Sequence, residues 1–464
     1  MALQGKLHPE IIIINTKIFL MRVFQRIQFW IITTLVCLVG YAVGCVKSDQ
    51  VVLPSSSDAN STTLVSLKTT TAPTIDGTVE AIWDKATKLN FTPTVPDPGN
   101  GLFTGYIGTT YPATLRSMYD DKYIYFLAEY ADATQSVNVA TWYFDPTTQR
   151  WAQEPTSKTF DANGVLTRDG MGEDKFAMLF NIDNSTPKFI TQTCYASCHV
   201  FTPYLDYSVT PAVEKSNANN GNHYTNGASE KIDMWWGHLS RDLIFNQIDD
   251  DYQDWAGGPG VTNLVGGSGN GRHVDGITVS GASATWPYAP TYTAAAPQGA
   301  SNNKQNLKLD GSGATVSVPL WIVPNASNYY YILASDTAAG GKAVKITGVS
   351  STGVLTYNGG SIDPNTGNDY QRTGDAVTGG DGPKCFPSYI ASPLIGARAD
   401  ITGAAVYTGT GWIIEYKRLL KTSDALKQDV DFSSLQDQPF GFAIWNKSNN
   451  QHGIQPNLLL TFQK

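Results

Sequence analysis

Two thiols and an imidazole stand close together near the middle of the chain, in the hexapeptide Cys-Tyr-Ala-Ser-Cys-His over residues 194–199. The side chains of Cys194 and Cys198 could add to the two vinyl groups of a haem, and the adjacent His199 could ligate its iron. Two residues usually separate the cysteines of this motif, whereas three separate them here. Because the slightly larger loop still lets both thiols reach the vinyl groups, the hexapeptide predicts one covalently attached haem c with His199 as its proximal ligand.

Two other interpretations of the hexapeptide remain open at this point. The thiols of Cys194 and Cys198 could close a small disulfide, in which case His199 has no special role. They could also form half of a zinc site, although zinc would need two further ligands at comparable spacing, and the sequence shows none.

The first 45 residues predict an export leader. Arg22 and Arg26 precede an apolar run, Phe29–Val43, which ends in small residues directly before Cys45. A short apolar run with basic flanks is typical of a signal peptide, and small residues before a cysteine resemble the cleavage site of a bacterial lipoprotein. We therefore expect a lipid on Cys45 and a location in the bacterial cell envelope, in the periplasm or at the outer membrane.

Several details of this leader stay open. The true start could be Met21, which directly precedes the basic residues, and Ala42 stands where leucine is commoner in lipoprotein leaders. Ordinary signal cleavage and an uncleaved anchor are therefore alternatives to lipidation. Residues 46–72 are rich in Ser, Thr and Asp and predict a flexible tether, followed by a single domain over 73–464.

Charge and cysteine content exclude several classes of protein. The formal net charge is −8, and Lys and Arg form no cluster after the leader, which argues against nucleic-acid binding. Of the five cysteines, only Cys385 lies outside the leader and the hexapeptide, so no disulfide framework is expected. The sequence has no Gly-x-Ser-x-Gly, His-Glu-x-x-His or phosphate-loop motif.

The rest of the chain predicts an all-β fold. Alternating apolar and polar residues at 113–118 and 123–130 flank an Asp-rich turn, which is a hairpin pattern. Similar patterns recur near the C-terminus at 411–417, 439–445 and 457–462. Two antiparallel sheets packed face to face as a β-sandwich, with long loop insertions and few short helices, would bury these strands.

Three segments do not show a strand pattern and are interpreted differently. Lys231–Ile248 is the best candidate for a helix, and residues 254–316, dominated by small and turn-forming residues, predict a long irregular insertion. The acidic run Asp249–Asp251 is expected to lie in a solvated loop, because it lacks the ligand spacing of a defined calcium site.

Several segments in order resemble the haem-binding domain family related to ethylbenzene dehydrogenase. The resemblance lies in residues 72–84, 119–126, 173–178 before the hexapeptide, the Trp-rich 231–236, and 411–418, 429–432 and 440–446. This family includes haem-carrying gamma subunits of some molybdenum dehydrogenases and exported proteins with attached c-type haem. The resemblance implies a β-sandwich like that of carbohydrate-binding modules.

The resemblance also indicates where a second iron ligand would lie. In relatives with b-type haem an axial lysine comes from the closing region, so the resemblance makes His452 the first choice for the distal position and His238 the alternative. Met234 and Met178 are weaker candidates. His223, like His273 in a similar Asn- and Gly-rich loop, is expected to be exposed.

Four tryptophans lie in or near the resembling segments: Trp235, Trp236, Trp412 and Trp445. They could pack on the faces of a porphyrin, or they could simply fill the core of the sandwich. The sequence does not choose between these roles.

Taken together, the sequence predicts an exported mono-haem c-type cytochrome that transfers single electrons at the cell envelope. It would act as an electron carrier or electron-transfer subunit more than as a catalyst on its own. Its expected partners are redox proteins, such as a molybdenum enzyme or a multihaem cytochrome. The alternatives are a carbohydrate-binding lipoprotein without redox activity and the haem subunit of a molybdenum oxidoreductase complex.

Overall fold

One large sheet dominates the fold. The structure is a computed structural model, and it describes residues 62–99, 101–197, 204–206, 213–215, 223, 225, 229–254, 272–280, 291–293, 299–324, 331–365 and 386–464. The leader, including Cys45, and Cys198, His199 and Cys385 lie outside the described residues. The described residues all belong to one compact unit, Val51–Lys464.

The large sheet has twelve strands, numbered here in chain order. In spatial order they are β1 (Thr63–Lys68), β29 (Gly453–Phe462), β28 (Gln438–Ser448), β9 (Glu173–Asn181), β12 (Ile232–His238), β13 (Gln247–Gln253), β26 (Ile401–Tyr407), β27 (Gly411–Leu419), β4 (Tyr123–Ala131), β3 (Ala113–Tyr119) and β2 (Leu89–Phe91), with β14 (Arg272–Val274) beside β13.

Ten of these strands form a closed circuit, because β1 pairs in parallel with β29 on one side and with β3 on the other. Two junctions in the circuit are short: β1 and β3 share three residue pairs, and β13 and β26 share two. The sheet bends at these junctions into two layers that pack face to face. This arrangement confirms the predicted all-β fold.

The remaining strands are short and form small sheets of two to four strands. They are β5 (Trp142–Asp145), β6 (Arg150–Gln153), β7 (Thr159–Phe160), β8 (Leu166–Arg168), β10 (Tyr204–Asp206), β11 (Val213–Lys215), β15 (Thr278–Ser280), β16 (Thr291–Thr293), β17 (Ser301–Asn302), β18 (Gln305–Lys308), β19 (Thr315–Val318), β20 (Trp321–Ile322), β21 (Ile332–Leu333), β22 (Val344–Val349), β23 (Leu355–Tyr357), β24 (Gly360–Ile362) and β25 (Tyr389–Ala391).

The described helices are short. One is an α-helix, Phe189–Gln192, and the others are 3₁₀ turns at Ala81–Lys85, Ile182–Asn184, Thr193–Ala196, Leu243–Phe245, Ala334–Thr337 and Gly396–Ala399. Among the described residues, no helix has the length and apolar character needed to cross a membrane.

The main core lies between the two layers and is rich in aromatic rings. Phe126 stacks on Tyr416 with ring centroids 5.2 Å apart, and Trp235 meets Phe126 edge-on at 5.7 Å. Phe176 and Phe180 of β9 complete this aromatic centre, and all five side chains are fully buried. Such ring pairs contribute on the order of 1 kcal/mol each beyond the area they bury.

A second core lies beneath β5, β6 and the small sheets of residues 305–362. Its centre contains Trp142 and Trp151, whose indole N–H groups donate to the carbonyls of Asn303 (3.0 Å) and Gly353 (2.8 Å). The described parts of 254–316 form short strands, including β17 and β18, and therefore differ from the irregular insertion that their composition predicted.

The prediction of a helix at Lys231–Ile248 is wrong, because the segment forms β12, a 3₁₀ turn and the start of β13. Strand β12 is covered on both faces, so apolar residues occupy successive positions and the two-residue alternation of an ordinary strand is lost. The acidic run Asp249–Asp251 is buried in β13, which corrects the expectation of a solvated loop.

The expected tether is shorter than 46–72, because β1 begins at Thr63. Leu64 and Ser66 of this strand are completely buried. The Ser66 side chain accepts a hydrogen bond from the Ser117 hydroxyl at 2.9 Å, which joins β1 to β3. The serine and threonine residues of 63–68 therefore belong to a paired strand, although the abundance of these residue types predicted a flexible segment.

A substitution of Gly237 tests the close packing of β12 against β9. A Cβ at this position would collide with the ring of Phe176, which is locked in the aromatic centre. We expect Gly237→Ala to lower the free energy of unfolding by about 1–3 kcal/mol, as overpacking of a core does. Urea denaturation measures this change.

The matched control is Gly348→Ala in β22, where an added Cβ would make only ordinary contacts, 3.5 Å from Thr356. This variant should change the unfolding free energy by less than about 0.5 kcal/mol. Equal effects of the two substitutions would contradict the packing described for β12.

Candidate functional site

A cavity of about 150 Å³ opens on the outer face of the layer that contains β9, β12 and β28. This volume far exceeds the roughly 10–15 Å³ that a single water needs, so the cavity is of a size for a ligand. Ala177 and Leu179 of β9 and Met234 and Trp236 of β12 line it. Residues between them on the same strands point the other way into the aromatic centre, so these strands are apolar on both faces.

Cys194 lines this cavity and is half-buried. It lies in the 3₁₀ turn Thr193–Ala196, directly after the α-helix. Ser197 also lines the cavity and is the last described residue before Cys198. The structure thus places the start of the predicted haem motif at the cavity, and the roles of Cys198 and His199 stay predictions.

Two contacts hold the Cys194 turn against the large sheet. Thr193 has a φ of 49°, a value that β-branched residues rarely adopt, and its hydroxyl donates to Asn457 Oδ1 at 3.0 Å. The backbone N–H of Asn457 donates back to that hydroxyl at 2.8 Å. Gly441 of β28 allows this approach, because a Cβ there would lie 2.8 Å from Thr193 Cγ2.

His452 lines the same cavity from the turn between β28 and β29. Its Nδ1 lies 2.6 Å from the carbonyl oxygen of Asn450. A carbonyl can only accept, so Nδ1 carries the proton and the neutral ring keeps a lone pair on Nε2. Histidines that ligate metals typically make this second hydrogen bond.

Electrostatics favour the neutral form of His452. Burial lowers its pKa from 6.5 to about 4. The hydrogen bond to Asn450 raises the pKa in part, and the nearby charge of Lys175 lowers it further. The ring is therefore uncharged at neutral pH, which is the form that can ligate a metal ion.

Two tryptophans form an aromatic wall of the cavity. Trp445 stacks on the His452 ring at 4.3 Å and on Trp236 at 5.9 Å. The indole N–H groups of both tryptophans are buried and have no hydrogen-bond partner in the protein. Since buried donors are normally satisfied, these two fit a ligand that carries acceptor atoms.

Positive charge lies against this aromatic wall. The Arg272 guanidinium lies 3.8 Å from the centroid of the Trp236 ring, and Lys175 Nζ lies between 5 and 6 Å from both indoles. Lys175 donates to the carbonyl of Asn449 at 2.9 Å, and burial lowers its pKa to about 7. An anionic group on a ligand would be stabilised here.

His238, the alternative distal ligand, lies behind the aromatic wall. Its ring stacks on Trp236 at 4.7 Å and its Nδ1 lies 2.9 Å from Glu173 Oε1. Burial and the charge of Arg241 lower the pKa of His238 to about 3. Burial opposes ionisation of Glu173, but Arg241 and His238 outweigh it and hold its pKa well below the ordinary value. His238 is therefore a neutral ring hydrogen-bonded to Glu173, beside the ion pair between Arg241 and Glu173, and it does not line the cavity.

The other candidates are now placed as well. Met234 lines the cavity, whereas Met178 points into the core, where its sulfur accepts a hydrogen bond from the Tyr416 hydroxyl. Trp235 and Trp412 are core residues and do not line the cavity.

Two histidines differ from the expectation of exposed loop positions. His223 lines the cavity, a placement that its Asn- and Gly-rich surroundings did not indicate. His273 is 1% exposed and its Nε2 lies 3.0 Å from Asp254, so the prediction for this residue is wrong. Pairing of β14 with β13 buries it, and only the tertiary structure reveals that pairing.

The fold and site define an all-β protein with a ligand cavity on one outer sheet face. Residues 80–456 match the protein family described as ethylbenzene dehydrogenase, and the chain belongs to this family. The family resemblance predicted from short segments is thereby confirmed.

Two solved structures are similar to the chain: a carbohydrate binding module family 9 (CBM9) from Caldicellulosiruptor kristjanssonii in complex with glucose, and the same kind of module in complex with cellotriose. Each shows 9% identity and a TM-score of 0.24, over 86% of this chain and 94% and 93% of the two modules respectively. No curated protein matches the chain.

The protonation state of His452 is directly measurable. In protein prepared without haem, we expect its ring to titrate with a pKa of about 4. Because the folded-state pKa lies below the unfolded value, its contribution to stability is complete above pH 6.5 and is lost as the pH falls through about 4. NMR of the histidine ring nitrogens measures the pKa.

The His452 resonances are identified by their loss in His452→Gln. A pKa near 6.5 would show that the ring is solvated and would contradict its placement in the cavity wall.

Proposed function

We propose that this protein is a haem-binding electron-transfer protein with its haem in the cavity. Cys194 and Cys198 attach the haem, His199 is the proximal ligand and His452 the distal ligand. The observation that carries the proposal is that one cavity brings together Cys194 and His452, which are far apart in the sequence.

The residues of the cavity fit the chemistry of a haem. Leu179, Met234 and Ala443 supply an apolar surface for a porphyrin. The two indole N–H groups of the aromatic wall, which lack hydrogen-bond partners, could donate to acceptor atoms of the ligand. Arg272, which lines the cavity, supplies positive charge for acidic substituents. His452 supplies a neutral imidazole with Nε2 available.

A bound haem would supply a one-electron couple whose potential depends on its axial ligands and its exposure to water. With two imidazoles as ligands, no coordination position remains for oxygen or a substrate. The protein side chains then orient the iron ligands and exclude water. This arrangement supports electron transfer and not catalysis at the iron.

Family membership supports a redox partner of the molybdenum-enzyme type. The chain would serve as a haem-carrying subunit or as a mobile carrier for such an enzyme, and a multihaem cytochrome is a further candidate partner. Export and lipidation at Cys45 belong to the same proposal, since c-type haem is attached outside the cytoplasm. Co-purification with a molybdenum protein would favour the subunit role.

Substitutions of Cys194 and of His452 test covalent haem attachment and iron ligation separately. Expressed with a c-type haem maturation system, the wild-type chain should be red and keep its Soret absorption through acid–acetone extraction. Cys194→Ala should lose most of the covalently bound haem. His452→Ala should keep covalent haem but change from a low-spin to a high-spin absorption spectrum, because one axial ligand is lost.

His238→Ala is the matched control, since this ring stacks on Trp236 but does not line the cavity. We expect it to keep the low-spin spectrum. A spin change in His238→Ala, His223→Ala or Met234→Ala, with none in His452→Ala, would overturn the distal assignment. A colourless wild-type chain would overturn haem binding itself and favour the carbohydrate-binding alternative.

A further inference from the structure

A second cluster of ionisable side chains lies inside the fold, on the face of β12 and β13 opposite the cavity. Asp233, Asp250 and Asp429 bring one carboxylate oxygen each to within 4.8 Å of one another. The first two are completely buried and Asp429 is 7% exposed. Asp275, also buried, lies beside them, because its backbone N–H donates to the carbonyl of Asp250 at 3.1 Å.

Strand register explains why these residues share a face. Asp250 of β13 lies opposite Trp235 of β12, and Asp233 is two residues before Trp235 on the same side of the strand. Asp275 follows β14 at the position opposite Asp250, since Val274 pairs with Asp251. The cluster therefore arises from strand pairing and not from a surface loop.

Within the described part of the chain, Arg418 of β27 is the one ion-pair partner of Asp233, Asp250 and Asp429. Its Nη1 lies 2.8 Å from Asp233 Oδ2, 3.3 Å from Asp429 Oδ1 and 3.7 Å from Asp250 Oδ2. One guanidinium cannot neutralise four buried carboxylates. Such an excess of buried charge is strongly unfavourable unless another cation or protons balance it.

Several carboxylate oxygens in the cluster also lack hydrogen-bond donors. Asp233 Oδ1 and both oxygens of Asp250 are buried without a hydrogen-bond partner, and no donor group of the described residues reaches Asp275, whose carboxyl lies against that of Asp429. Buried polar atoms in folded proteins are nearly always satisfied, so this concentration of unsatisfied acceptors points to a missing ligand. The ligand must be positive and must prefer oxygen donors.

We propose that Asp233, Asp250 and Asp429, with Asp275 beside them, bind one Ca²⁺ ion in the interior of the fold. Carboxylate oxygens are hard donors that suit Ca²⁺ or Mg²⁺ and do not favour transition metals. Ca²⁺ fits better, because it accepts several carboxylates in flexible geometry, whereas Mg²⁺ usually keeps several of its waters. Its two positive charges and that of Arg418 would balance most of the cluster.

The position of the cluster indicates what the ion does. Asp233 and Asp250 belong to one layer, and Arg418, which also contacts the carbonyl of Val430, belongs to the other. The layers are joined nearby by only two residue pairs between β13 and β26. The ion would therefore hold the layers together where strand pairing is weakest.

Metal content and thermal unfolding of the full chain test the proposal. Purified protein should carry one Ca²⁺ per chain by elemental mass spectrometry. Removal of Ca²⁺ with EDTA should lower the Tm by several degrees, and re-addition well above the Kd should restore it. Because metal content is measured on the wild-type chain, this arm does not depend on whether a variant folds.

Asp250→Asn should lose the bound Ca²⁺ and the response of the Tm to EDTA. The matched control is Asp249→Asn, the neighbouring residue of β13, which faces the other way and pairs with Arg398 at 2.5 Å. This control should be less stable than wild type but should keep its Ca²⁺ and its response to EDTA.

The sign of the Asp250→Asn effect also separates the alternatives. If no cation binds, the substitution removes an excess buried charge, and the variant should be as stable as wild type or more so. Metal-free wild-type protein with a Tm insensitive to EDTA, together with a stabilised Asp250→Asn variant, would overturn the proposal.

Discussion

Burial of three neighbouring strands on both faces is the constraint on which the rest of this structure depends. Strands β9, β12 and β28 send one set of side chains into the aromatic centre and the next set to the outer cavity. In β9 every residue is buried. An apolar outer face of a sheet is normally covered, either by other parts of the chain or by a ligand. Where the chain leaves such a face exposed, the apolar patch usually marks a binding site.

The protein covers part of that outer face with its own chain. The turn that carries Cys194 is fixed to β29 through Thr193 and Asn457, and the His452 ring is held within its own turn by the carbonyl of Asn450. The two turns come from different parts of the sequence and meet over the same strands. What they leave uncovered is the cavity, lined by apolar side chains and by two indole groups without hydrogen-bond partners.

The inner face of the same strands carries the opposite kind of chemistry. Trp236 points to the cavity, whereas Trp235 points inward beneath Arg418, whose guanidinium lies 4.7 Å from its ring centroid. The acidic cluster and the cavity are thus separated by the thickness of one strand, β12. Loss of order at the cluster would shift the strand that carries Met234 and Trp236, so the two sites depend on one element.

Local patterns predicted the all-β fold and the family, because hairpins and ordered motifs are short-range features of the sequence. His452 lies at the same cavity as Cys194, and its choice as the distal ligand, which rested on family resemblance, stays a prediction. The helix expected at Lys231–Ile248 failed because burial on both faces removes the alternation that marks a strand. The buried run Asp249–Asp251 and the cavity position of His223 depend on long-range contacts, which no local pattern encodes.

The most direct test of the account is the mass of the mature chain, purified from cells that attach c-type haem. The account predicts a mass equal to the polypeptide plus one haem, and a peptide containing residues 194–199 that carries the added mass. A mature chain with the mass of the polypeptide alone, apart from any lipid, would contradict the account.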